Sequence, residues 1–368
     1  MTVTEVERGP LDRVPSSVML AGGAVLTVVL FLFAVQLLGA TTRAATPTLR
    51  PVLTRLLVGD ASALGLGWLA AYALANGSVV AALSLSLFDA GLVPPAQLFL
   101  LVAGSRLGGA AVVVFVGALD YLGRRDGGGS LRRHTALGLL TFLVTLSVYL
   151  PVTAVGYAAR PFVAGDLAAL GRSLTRDLPT LAVFDPATAA VIAAVGPGPA
   201  FALAVAVLFG TLRLFDRVLD RADAESLRDR LFSRFQRTWL SFAAGVLVTT
   251  LTTSVAFSLG VVVPLYNRGY VERDELLPYV LGANLGTLSD TLVVAAVLDS
   301  PVGVGSVLFL VGLATAATLA ALAVAERYAA AVATAHDRLL DDRRAFLAFV
   351  AALVAGPLAL VAVPLALG

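Results

Sequence analysis

The chain has 368 residues, of which 58% are hydrophobic and 14% charged. An ordinary soluble domain carries about 25% charged residues, so most of this surface must face lipid or other protein. A net charge of +2 gives no reason to expect nucleic acid as a partner, and the lack of Cys excludes disulfides and thiolate metal sites. Every one of the 26 basic residues is Arg. That usage fits a high-GC genome, and a prokaryotic cell membrane is the expected location.

Taken in chain order, the first 16 residues mix acid and base and read as a cytoplasmic N-terminus. The long apolar stretch over 17–40 reads as a retained membrane helix, not a cleaved signal peptide. Further crossings are expected at 94–122, 135–157, 187–214, 276–298, 305–327 and 345–367. Each is long enough for a bilayer core of ~30 Å.

Two apolar regions are too short to cross. Ala61–Ala75 and Val79–Ala90 flank Asn76-Gly77-Ser78, and Trp239–Leu251 and Val255–Leu265 flank Thr252-Thr253-Ser254. Arms of this length span roughly 16–22 Å as helix. They predict two re-entrant hairpins with polar tips near mid-membrane; a single kinked helix is the alternative in each case.

The Arg distribution tests this layout by the positive-inside rule. With the N-terminus in the cytoplasm, nineteen Arg fall in inside segments and six in outside segments. Residues 122–134 and 212–238 are then cytoplasmic, 41–58 and 158–185 are external, and the C-terminus is external. Arg106 is left inside the membrane. The Arg-rich stretch 213–237 reads as an amphipathic helix on anionic lipid.

An internal repeat underlies this order. Gly91–Gly108 aligns without a gap to Gly269–Gly286, with identities at seven of eighteen positions and three glycines in register. Repeat 1 spans 17–157 and repeat 2 spans 187–327, joined by an external linker over 158–186. A cytoplasmic segment and an extra helix occupy 328–368. Each repeat has three full crossings, an odd number, so the second copy must lie upside down. Inverted repeats with broken helices are a transporter signature, and their site lies at mid-membrane. The expected fold is therefore all-α: a polytopic membrane protein of two inverted repeats. Each repeat carries a re-entrant hairpin and a broken helix, the breaks falling at Gly104–Gly108 and Gly282–Gly286.

The polar residues at tips and breaks are the candidate substrate-binding set: Asn76, Gly77, Ser78, Gly104, Ser105, Arg106, Thr252, Thr253, Ser254, Gly282, Asn284, Gly286, Thr287 and Asp290. Hydroxyl and amide oxygens suit sodium or a phosphate-like anion, although Ser and Thr also bond back to helix carbonyls. A mid-membrane Arg or Asp marks a functional site by default. Arg106 suits bidentate capture of an oxyanion. It could instead pair with Asp290, or stand permanently for the charge of a coupling ion.

At Gly282-Ala283-Asn284-Leu285-Gly286-Thr287 the sequence resembles the sodium/phosphate cotransporter family. That family pairs a Gln-Ser-Ser-Ser hairpin tip with a downstream Gly-Ala-Asn-Ile-Gly-Thr-Thr break. Gly245, Thr249, Thr253 and Ser254 fall where the family has Gly, Thr, Gln and the first Ser. The first repeat resembles it more loosely, through Asn76-Gly77-Ser78 and Gly104-Ser105-Arg106-Leu107-Gly108. Neither tip has the Gln, Arg106 stands in place of the Asn, and Asp290 follows the second break by one turn.

The resemblance implies sodium-coupled symport of inorganic phosphate or a related oxyanion, with sodium as coupling ion and no other cofactor. The sodium site is expected at Thr252, Thr253, Ser254 and Asn284. A proton-coupled version would run through Asp290. The rival reading is a non-transporting or regulatory membrane protein that keeps the scaffold, which the missing Gln-Ser-Ser-Ser tips favour. No zinc-protease, serine-hydrolase or Walker motif appears, so an enzyme is not expected. A homo-oligomer is compatible with the layout.

Overall fold

The computed structural model describes residues 16–123, 129–176, 182–220, 237–252, 258, 262 and 273–367. Among these residues the structure is helical and contains no strand. Seven helical segments are long and apolar enough to cross a membrane: Gly22–Ala44, Pro95–Phe115, Ala136–Thr175, Pro197–Phe215, Glu275–Val297, Pro301–Ala323 and Arg343–Leu367. Large apolar side chains such as Val25, Leu150, Leu203, Leu319 and Leu358 point outward from these helices. In water such a surface would be a liability; against lipid it needs no cover.

Helix α1 (Ser16–Ala44) is followed by α2 (Thr46–Leu56), which carries Arg50 and Arg55 and buries none of its residues. That is the composition of a surface helix. The chain then bends by 110° into α3 (Asp60–Leu74). Gly59 is extended at the bend, and the Ser62 hydroxyl bonds back to its carbonyl (2.6 Å).

Next come α3 and α4 (Gly77–Asp89), with 15 and 13 residues. At 1.5 Å per residue these arms reach only ~20 Å. Ala75 takes a left-handed conformation (φ 49°), and Asn76 caps α4 by accepting from the Val79 N–H (3.0 Å). The arms pack against each other, so the hairpin expected here is formed. Helix α9 (Thr238–Thr252) occupies the place expected for the first arm of the second hairpin. Most of the expected second arm lies outside the described residues.

Helices α5 (Pro95–Gly123) and α6 (Gly129–Thr175) follow. The interruption expected at Gly104–Gly108 is absent, because α5 is continuous. α6 also runs through most of the stretch expected to be a linker. A short helix α7 (Asp185–Val195) leads into α8 (Pro197–Asp220), with Gly196 (φ 82°) at the joint.

Helices α10 (Arg273–Gly286) and α11 (Leu288–Val297) form one span interrupted only at Thr287. Thr287 keeps helical dihedrals (φ −66°, ψ −16°), and its N–H still reaches the Ala283 carbonyl (3.2 Å). The second break is thus a one-residue irregularity. Helix α12 (Pro301–Ala323) starts with Pro at N1, behind a Ser300 cap. The amphipathic α13 (Ala325–Asp341) and the apolar α14 (Arg343–Leu367) complete the order.

The glycines explain why the helix ladder survives. A Cβ on Gly104 would lie 2.3 Å from the Leu64 carbonyl, and on Gly108 2.3 Å from that of Trp68. On Gly67 it would lie 2.3 Å from the Leu101 carbonyl. The same contacts recur between α9 and α10. Gly282 faces the Phe242 carbonyl at 2.1 Å, Gly286 that of Val246 at 2.7 Å, and Gly245 that of Tyr279 at 2.1 Å.

Each second-half residue is the first-half residue shifted by 178 positions, as Gly67 to Gly245 and Leu101 to Tyr279 show (245 − 67 = 279 − 101 = 178). The repeat is therefore legible in backbone contacts as well as in sequence. α1 also packs on α8, which sits at the equivalent place in the second half, and α6 packs on α12. Helix α14 has no equivalent in the first half. It packs on α3, with the Tyr72 hydroxyl donating to the Leu353 carbonyl (2.9 Å).

Candidate functional site

A cavity of about 400 Å³ lies between the first hairpin tip and helices α5, α6, α8 and α10. The hairpin is held there by sterics. Gly77 approaches α5 so closely that a Cβ would sit 2.5 Å from the Ser105 carbonyl, and Gly109 faces Gly77 in turn. This contact sets Asn76, Gly77 and Ser78 beside Ser105 and Arg106 on the cavity wall. The first turn of α4 begins at the same wall. Backbone N–H groups there are unsatisfied by the helix and favour an anion.

Arg106 is 7% exposed, which for a guanidinium demands partners. Its Nη1 donates to the Thr287 carbonyl (3.2 Å) and its Nη2 to the Thr291 hydroxyl (3.0 Å). Its Nε has no partner. Thr291 in turn donates to Asp290 Oδ1 (2.8 Å), while Asp290 Oδ2 has none. Arg106 and Asp290 therefore make no direct ion pair. They are joined through the Thr291 hydroxyl, which accepts from one and donates to the other.

Asn284 is equally buried. Its Oδ1 accepts from the Thr145 hydroxyl (3.0 Å) and its main-chain carbonyl from the Tyr149 hydroxyl (2.9 Å). The Thr287 hydroxyl also reaches that carbonyl (2.8 Å). The amide Nδ2 is left without a partner. Two buried donors, Arg106 Nε and Asn284 Nδ2, thus lack acceptors on residues that line one cavity. Leaving such a group unsatisfied costs about 1–3 kcal/mol, more when it is charged. Both donors belong to residues of the cavity wall, so a small rotation of either side chain would offer them to an anion there.

Of the candidate residues, the cavity gathers Asn76, Gly77, Ser78, Ser105, Arg106, Asn284 and Thr287. Gly104, Gly282 and Gly286 lie in the helix contacts described above and do not line it. Asp290 sits behind Arg106 and does not line it either. Thr252 is buried at the end of α9, with its hydroxyl on the Val248 carbonyl (2.7 Å). Thr253 and Ser254 lie outside the described residues. Thr249 donates to Ser258 (2.7 Å), which also meets the Tyr279 hydroxyl (2.8 Å).

Residues of α6 and α8 complete the wall and were missed from sequence. Thr141, Thr145 and Tyr149 recur every four residues, which places them on one helix face. A polar stripe at that spacing in an apolar helix was the available signal. Arg213 at the wall stacks its guanidinium 4.5 Å from the centre of the Phe209 ring. Its position in an Arg-rich segment hid it.

The Na+/Pi-cotransporter family profile matches residues 207–337. This stretch includes α9, α10 and α11, and therefore Asn284, Thr287, Asp290 and Thr291. No curated protein and no solved structure matches the chain.

Proposed function

We propose, from the match of residues 207–337 to the Na+/Pi-cotransporter family, that this chain is a multi-pass membrane protein that carries a phosphate-like oxyanion across the membrane with a cation. The observation that carries the reading is that Arg106 and Asn284, two buried residues that each keep a side-chain donor without a partner, line one cavity. The anion lies against them and against the first turn of α4. Ser78 and Ser105 are within the same wall. The cation named by the family is sodium, for which Thr252, Thr253, Ser254 and Asn284 are the proposed oxygen ligands.

Carriage requires that the site open to each side in turn. Two halves related by inversion in the membrane would allow this by rocking about the shared site. The recurrence of the glycine contacts at a fixed offset supports two equivalent halves, and the Arg asymmetry of the sequence supports their opposite orientation. Under that orientation the N-terminus is cytoplasmic and the C-terminus external. Arg213, near the cytoplasmic end of α8, then guards the cytoplasmic mouth and draws anions toward Arg106.

The test is uptake of radiolabelled phosphate into proteoliposomes, with an inward sodium gradient and with choline in its place. Accumulation that follows the sodium gradient is expected. Vesicles that exchange no phosphate in either medium would refute the reading.

A further inference from the structure

Arg106 is the only buried Arg and Asp290 the only buried carboxylate among the described residues. Both sit where water is scarce, and their charges cancel across the Thr291 hydroxyl. We propose that Asp290 is a proton site coupled to the anion site, taking up a proton on Oδ2 when the oxyanion binds Arg106. This rests on the anion-transport reading above and adds a second cation to it.

The argument is one of charge balance. With the cavity empty, the guanidinium and the carboxylate neutralise each other. An anion arriving beside Arg106 leaves net negative charge in a medium of low dielectric, where uncompensated charge is costly. A cation must enter with it. Asp290 Oδ2 is a buried acceptor with no partner, so the place for that cation already exists.

The surroundings favour a proton over a metal ion. A hard metal cation gathers several oxygens, whereas Asp290 is 3% exposed and its other oxygen is already held by Thr291. A proton needs only the one lone pair. Asp290 does not line the cavity, so the proton reaches Oδ2 from water only when the site rearranges to admit the anion, and it returns to water when the anion leaves.

Few groups compete for this role. Helices α12, α4, α1, α10 and α9 pack on α11. Of these, α9 and α12 carry no ionisable residue. Arg43 of α1 and Asp89 of α4 pair with each other at the far ends of their helices. α10 carries Arg273, Asp274 and Glu275 in its first turn, and Tyr279, which is bonded to Ser258. Among the described residues, the ionisable groups that reach Asp290 are Arg106 and Tyr149, and the Tyr149 hydroxyl is engaged by the Asn284 carbonyl.

The experiment measures protons taken up per phosphate bound. Purified full-length protein in weakly buffered detergent solution, with a pH-indicator dye, receives inorganic phosphate in either sodium or choline medium. Asp290→Asn serves as reference, so that proton exchange by phosphate itself cancels in the difference. Wild type should take up a single proton more per bound phosphate than Asp290→Asn, in both media, as linkage requires.

Infrared difference spectra of the wild type supply a second readout that needs no variant. Phosphate should produce a protonated-carboxyl band. Phosphate binding without that band, or with equal proton counts in wild type and Asp290→Asn, would overturn the proposal while leaving anion binding intact. Proton-free binding that depends on sodium would assign Oδ2 to the metal and overturn it too. Failure of the wild type to bind phosphate at all would overturn both this proposal and the transport reading.

Discussion

Replacing Arg106 by Lys keeps the positive charge and removes the planar fork. In the structure Nη1 holds the Thr287 carbonyl, Nη2 holds Thr291, and Nε is a third donor, buried and without a partner. A single ammonium on a shorter planar reach cannot serve all three. Hydrogen bonds from charged groups are worth about 1.5–3 kcal/mol each, and the donor most easily lost is the one with no protein partner to anchor it. Phosphate affinity should therefore fall roughly tenfold to a hundredfold in Arg106→Lys, at 1.4 kcal/mol per factor of ten. The folded protein should survive, because the carboxylate of Asp290 keeps a nearby cation. Arg106→Ala removes that cation and strands Asp290, which for a buried pair costs about 3–5 kcal/mol. Equilibrium dialysis with labelled phosphate gives the affinities, and heating followed by size-exclusion chromatography gives the stabilities. Arg106→Lys binding phosphate as tightly as wild type would refute the anion role of the fork. Equal destabilisation by Lys and Ala would show that the side chain acts only in holding the helices.

Three more outcomes follow from the geometry. Gly104→Ala and Gly282→Ala should destabilise to a similar degree, by about 1–3 kcal/mol or more, since each Cβ would press on a backbone carbonyl at 2.3 or 2.1 Å; thermal melts that spare either one would break the equivalence of the two helix pairs. Thr252→Val should raise the sodium concentration needed for half-maximal uptake in proteoliposomes, and unchanged sodium dependence would remove Thr252 from the ion site. Single cysteines, introduced into a chain that has none, should be labelled from outside at Thr54 on α2 and from the cytoplasm within residues 122–134; the reverse pattern would invert the proposed orientation.

The crossings were legible in the sequence because lipid exposure demands long apolar runs, and the first hairpin because Asn76-Gly77-Ser78 splits a run too short to cross twice. The glycines were legible as paired but misread in kind. Gly104 and Gly108 look like helix breakers in one dimension, yet a glycine inside a membrane helix also lets another backbone approach. Only the partner at 2.3 Å, on a helix some forty residues away, decides between the two. Arg106 and Asp290 stood out as isolated charges, and their link through Thr291 did not. Thr291 is one of many hydroxyls in the chain, and nothing local distinguishes it. Thr141, Thr145 and Tyr149 were within reach of a search for polar stripes, since their spacing alone puts them on one face.

The repeat offset also shows how an asymmetric site arises from equivalent halves. Positions 106 and 284 correspond under the shift of 178, and they hold Arg and Asn (284 − 106 = 178). Positions 112 and 113, both Val, correspond to Asp290 and Thr291 (290 − 112 = 291 − 113 = 178). The first half thus supplies the cation, and the second supplies the carboxylate and the hydroxyl that joins them. Neither half holds a balanced charge by itself, so the low-dielectric interior favours them together. The family pattern has Asn at both equivalent places. Substituting Arg at one of them adds a permanent charge that has to be neutralised in the empty site, and Asp290 lies one side chain away to do so. The two departures from the pattern are thus joined through one hydroxyl, and altering either residue alone should disturb the charge balance of the empty site through the other.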